Sequence, residues 1–65
     1  MAYRIDYFRS GVKIVASPCP ASLEQTKIVA RDGLYRFQAD KAHVLDMDRK
    51  GVTVAIIDAG NLLHV

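Results

Sequence analysis

The chain has 65 residues, which predicts a single domain with no catalytic unit beside a regulatory one. One cysteine excludes an internal disulfide, and two histidines with one cysteine cannot complete a four-ligand structural zinc site within the chain. Hydrophobic residues at 51% against 25% charged give the balance of a folded protein, and a net charge of +2 from interleaved acids and bases argues only weakly for nucleic acid.

Ala2 to Arg9 alternates, with Tyr3, Ile5 and Tyr7 on one side and Arg4 and Asp6 on the other, which is the period of a half-buried strand. Ser10-Gly11 fits a two-residue hairpin turn that needs positive φ, and Val12 to Ala16 returns as the second strand. Pairing Arg9 with Val12 sets Tyr7 opposite Ile14 and Ile5 opposite Ala16, so Tyr3, Ile5, Tyr7, Val12, Ile14 and Ala16 share one face. Ser17-Pro18-Cys19-Pro20 is expected to end that strand, because each proline removes a backbone donor.

Ser22 with Gln25 three residues on has the form of a capping box, so a helix is predicted from Leu23 to about Gln38. At 100° per residue Leu23, Thr26, Val29, Ala30, Leu34 and Phe37 fall in one arc, the expected core face, while Glu24, Gln25, Arg31, Asp32 and Arg36 lie outside it. Gly33 interrupts the helix at a cost of up to ~1 kcal/mol relative to alanine. Ala42 to Met47 and Val52 to Asp58 read as the third and fourth strands, joined by the turn Asp48-Arg49-Lys50-Gly51. An even-length connection puts Leu45, Met47, Val52, Val54 and Ile56 on the core face and Val44, Asp46, Thr53, Ala55 and Ile57 on the other. Ala59-Gly60-Asn61 is a predicted turn before the short apolar tail Leu62 to Val65.

The order is ββαββ, an α+β fold in which one helix lies across a four-stranded, mainly antiparallel sheet, with the doubly apolar fourth strand expected at the centre. Four strands spaced ~4.8 Å apart are nearly twice as wide, with their side chains, as the ~10 Å that one helix covers. Half of the helix-side face and all of the opposite face therefore need a partner or tolerance of water. On these registers the opposite face carries Phe8, Val15, Val44, Ala55 and Ile57, and the helix presents Ile28 and Tyr35 away from its core arc. These seven residues are the expected interface of a homodimer, through an apolar sheet face or strand edges. The plainer reading is a solvated monomer with scattered exposed apolar side chains.

Chemistry is sparse. Cys19 precedes a helix, where a thiol gains acidity, yet no histidine or second thiol lies near it in sequence, and Cys19-Pro20 is too short a motif to specify haem. Asp6, Asp46 and Asp48 are expected to share a face on which they could hold a hard cation, although Arg4 and Lys13 on that face offer ordinary ion pairs. His43, on the expected core side, and His64 read as packing residues. Isolated glycines exclude a phosphate loop or nucleophile elbow, so no cofactor and no enzymatic activity are expected. Tyr3, Tyr7 and Phe8 raise single-stranded nucleic acid as an alternative ligand, with only Phe8 placed on the outer face. No apolar run is long enough to cross a bilayer and the start of the chain does not look like a signal peptide, so a cytoplasmic protein is expected.

Leu23-Glu24 with Lys27, Ala30-Arg31, Gly33-Leu34, Ala39-Asp40, Ala42 and Asp46, after an opening Tyr3-Arg4, resembles a family of short bacterial proteins built around L-E-x-x-K-x-x-A-R-x-G-L followed by A-D-x-A-x-x-x-D. The likeness spans about two thirds of the chain and departs at Pro18-Cys19-Pro20 and after Asp58. That family has no assigned activity, so the resemblance implies a bacterial origin and no functional residues.

Overall fold

A computed structural model of the chain describes residues 2–59. Among these residues four strands and one helix follow the expected ββαββ order: β1 (Tyr3–Arg9), β2 (Val12–Cys19), α1 (Leu23–Arg36), β3 (Lys41–Asp46) and β4 (Val52–Asp58), with one 3-10 turn at Met47–Arg49. The strands form one antiparallel sheet in the order β2-β1-β3-β4, and α1 lies on one face, against β3, β1 and β4. The expected turn at residues 59–61, the tail Leu62 to Val65 and His64 within it lie wholly or partly outside the described residues.

Ser10 and Gly11 both adopt positive φ, 53° and 80°, the geometry whose twist matches the flanking strands. The backbone N–H of Ser10 is held by the Asp40 carboxylate at 2.8 Å, which fixes the turn against the chain leaving the helix. Arg9 pairs with Val12 as expected, but the register shifts between Tyr7 and Phe8, so Tyr7 opposes Val15, Ile5 opposes Ser17 and Tyr3 opposes Cys19. This bulge overturns the expected placement of Ala16 on the core face and brings Cys19 there instead, because one extra residue inverts every later side chain. β2 also continues through Pro18 rather than stopping before it. An edge strand tolerates proline where the missing N–H would point at solvent.

The helix starts as its sequence indicates, with the Ser22 hydroxyl accepting from the Gln25 N–H at 3.2 Å. It ends at Arg36, before the expected Gln38, because Gln38 turns to positive φ (55°) and the Ala39 N–H closes back on the Leu34 carbonyl at 2.9 Å. Arg9 completes this terminus by donating to the Phe37 and Gln38 carbonyls at 2.9 and 3.0 Å. Thr26, Ala30, Gly33 and Leu34 are the buried helix residues, whereas Val29, expected in the core arc, is exposed. Gly33 explains the rotation: a Cβ there would collide with the Tyr7 ring, so the helix meets the sheet through its glycine.

The second hairpin departs furthest from expectation. Asp46 pairs with Val52, giving the odd five-residue connection rather than an even one. Asp46 is suited to that place because its carboxylate accepts the Asp48 N–H at 3.0 Å and its carbonyl the Gly51 N–H at 3.0 Å, while Lys50 and Gly51 supply the positive φ. A register shift between Val44 and Leu45 leaves Val54 as the extra residue of β4, so Val44 opposes Ala55 and Ala42 opposes Ile57. Ile5 opposes Val44, and Tyr7 opposes Ala42, from the other side of β3. Val44, Ala55 and Ile57 therefore face the helix, and Leu45 and Ile56 the open side, the reverse of the expected assignment. β4 is an edge strand, not the central one, and the centre is held by β1 and β3.

Candidate functional site

Three surfaces are concave, charged or unpaired enough to engage another molecule. The first is the open face of the sheet, which register assigns to Arg4, Asp6 and Phe8 of β1, Lys13, Ala16 and Pro18 of β2, Lys41, His43 and Leu45 of β3, and Thr53, Ile56 and Asp58 of β4. At its middle Asp6 is only 6% exposed, and its carboxylate accepts from Arg4 Nε at 3.0 Å and Nη2 at 3.2 Å, with Lys13 Nζ 3.8 Å away. Two cations around one buried carboxylate keep this charge neutralised inside a central strand. Beside it Phe8 and His43 stand with ring centroids 4.6 Å apart at 45°. His43 is thus on the open face, not in the core as expected.

Of the residues expected on that open face as an apolar interface, only Phe8 is there. Val44 is completely buried beneath the helix, and Val15, Ala55 and Ile57 pack against the same core cluster. They serve the fold because the β2 bulge turns Val15 to the helix side, and because β3 sets Val44 beside Ile5 and pairs it with Ala55, and Ala42 with Ile57, on that side. Ile28 and Tyr35, by contrast, are exposed on the helix as the sequence indicates.

The second surface is a cleft of about 450 Å³ between the helix and β2, lined by Tyr7, Ser17, Ile28, Val29, Gly33 and Phe37 with Asp32 and Arg36 at its rim. The rim carboxylate and guanidinium pair with each other at 3.2 Å, one turn apart on the exposed helix face. The Tyr7 hydroxyl reaches the Val29 carbonyl only at 3.5 Å, and the ring lies 4.9 Å from Phe37. Burial raises its pKa above the ordinary 10.0, Cys19 and Asp32 add to the rise, and Arg36 opposes it. Tyr7 is therefore a neutral phenol at physiological pH, able to donate a proton in a hydrogen bond but not to act as a base. The third surface is the pair of sheet edges, β2 and β4, to which no further strand of the described residues is bonded.

The expected carboxylate trio does not assemble on one face. Asp6 faces the open side, Asp46 opposes the core residue Tyr3 and caps the 3-10 turn, and Asp48 accepts the Ala2 N–H at 3.1 Å. Among the described residues no three His, Cys, Asp or Glu side chains gather where they could hold a metal ion. Cys19 is buried, and Thr26, whose hydroxyl donates to the Ser22 carbonyl at 2.8 Å, lies 3.5 Å from its sulfur. Two contacts lie beyond the expected set, Arg9 at the helix terminus and Gly33 against Tyr7. The spacing of Arg9 from the helix end carries no signal, whereas a glycine inside an otherwise regular helix is itself a cue for close approach.

No helix among the described residues is long and apolar enough to cross a membrane. The sequence matches no family model, and no curated protein or solved structure matches the chain.

Proposed function

We propose that the protein is a small, non-enzymatic interaction module that works as a cytoplasmic homodimer. The observation that carries this reading is how large apolar side chains divide between core and surface. Among the described residues Val12, Ile28, Val29, Tyr35, Met47, Val52 and Ile56 are all at least 40% exposed, outnumbering the large buried ones, Tyr3, Ile5, Tyr7, Leu34, Val44 and Leu45. Single exposed apolar residues are ordinary, but a domain of this size without disulfide or metal gains its missing burial most directly by association. A lone thiol kept inside the core suits a reducing compartment. Sedimentation at micromolar concentration is the test. A species of twice 7.2 kDa is expected, and a monomer alone would reject the reading.

A second reading, binding of single-stranded nucleic acid, is favoured by the Phe8–His43 ring pair on the open face with Arg4, Lys13 and Lys41 on the same side. It predicts retention on single-stranded oligonucleotides that weakens steeply with salt. Absence of retention at low salt rules it out.

A further inference from the structure

We infer that β4 is the dimer edge: two copies pair β4 with β4, antiparallel about a two-fold axis at Ile56, and join their sheets into one of eight strands. This rests on the homodimer reading above and assigns it a surface. Of the two edges of the sheet formed by the described residues, β2 is closed to pairing three times over, by Pro18, which has no N–H, by the bulge at Ile14–Val15, and by the charge of Lys13. β4 has a bulge at Val54 but no proline, and its one charge, Asp58, stands at its end. From Val52 to Ile57 it reads VTVAII, uncharged, free of proline and rich in β-branched residues, the composition of a strand that pairs.

The register follows from which side chains share a face. Ala55 and Ile57 point to the helix side, and Ile56, 59% exposed, to the open side. A two-fold axis at Ile56 sets Ile56 against its own copy and Ala55 against Ile57 of the second copy, so each face meets its like. Antiparallel pairing also sets each Asp58 opposite Val54 of the other copy, where a parallel in-register arrangement would place the two Asp58 carboxylates side by side. A groove of about 300 Å³, lined by Leu34, Tyr35, Gln38, Ala39 and Ala59, opens between the helix and the end of β4. The second copy's Val52, exposed and on the helix side, arrives beside Ala59 in this pairing and covers one end of it.

Sedimentation of the full chain tests the assignment with Ile56→Lys, which sets two like charges across the axis, against Ile28→Lys at a helix position of equal exposure (58%). Ile56→Lys is expected to raise the dimer dissociation constant by about tenfold or more, and Ile28→Lys to leave it within about twofold. Ile56→Cys under mild oxidation should give a disulfide-linked dimer much faster than Ile28→Cys, since paired strands bring opposed Cα atoms within disulfide reach. This second measurement decides if the lysine variant does not fold. If Ile56→Lys dimerises as the parent does, or Ile28→Cys cross-links faster, the β4 edge is wrong and the homodimer reading survives. If the parent is a monomer that Ile56→Lys merely destabilises, β4 is covered within its own chain and both fall.

Discussion

The two edge strands of the sheet are built on opposite principles. Both carry a bulge, but β2 adds a proline and a lysine, features that make an edge safe in water. β4 is the most β-branched strand of the chain and carries no charge before Asp58, yet it too lies at the rim, with Val52 and Ile56 exposed. The centre belongs instead to β1, which holds Arg4 and Asp6. Apolar composition alone does not place a strand in a sheet. A charge can occupy the centre when its partners come with it, as Arg4 and Lys13 come to Asp6, and an apolar strand at the rim marks the surface that still has burial to gain.

The contrast can be broken first where the helix is seated beside the β2 half. Gly33→Ala should destabilise the fold by about 2 kcal/mol in urea unfolding, since the new methyl collides with the Tyr7 ring. Intrinsic propensity alone predicts a gain of up to ~1 kcal/mol, so the sign of the change decides between packing and propensity. The same contact gives the β1 side an alkaline limit. The folded pKa of Tyr7 lies above the unfolded value of 10.0, so the stability it confers is complete below pH 10 and is lost as pH rises through the folded value. Tyr7→Phe should flatten that alkaline loss, which thermal unfolding across the range will show.

A smaller effect is expected from Asp6→Asn, which removes the counter-charge shared by Arg4 and Lys13 across the first hairpin. Because both cations are partly exposed and water compensates them, a loss of about 1 kcal/mol is expected by chemical denaturation. The smallest change in stability, within about 0.5 kcal/mol, should come from Pro18→Val. Its effect lies elsewhere: with an N–H restored at the β2 edge, light scattering should report species larger than a dimer. If it does not, Pro18 is not what keeps that edge unpaired.

Much of the fold is legible in the residues because its signals are local. Ser10-Gly11 marks the first turn, Ser22 with Gln25 the helix start, and each strand lies within a few residues of where its pattern puts it, because turn geometry and capping act over four residues or fewer. The faces were not legible, for the opposite reason. Alternation says which side chains go together only until one residue is inserted, and the bulges at Ile14–Val15 and Val54 leave no mark on the period except its failure. Val15 is turned by the first bulge; Val44, Ala55 and Ile57 do share a face as the alternation indicates, and what alternation does not show is which side of β3 meets the helix. Strand order is likewise set by β1 and β3 meeting across the whole sequence. Phe8, Ile28 and Tyr35 do point outward, as the alternation of β1 and the helical period indicate.

The bulge in β2 also decides what kind of chemistry Cys19 undergoes. A strand without it would hold this thiol at the surface, open to any passing oxidant or electrophile; the extra residue turns it inward beside Thr26 and under the helix. An alkylating reagent then reaches the sulfur only when β2 peels from β1 or the whole domain opens, so its reaction rate is a measure of that opening. The protein thus contains its own clock for unfolding, one that needs no added label and that dimer formation should slow if the second copy stabilises the sheet as a whole.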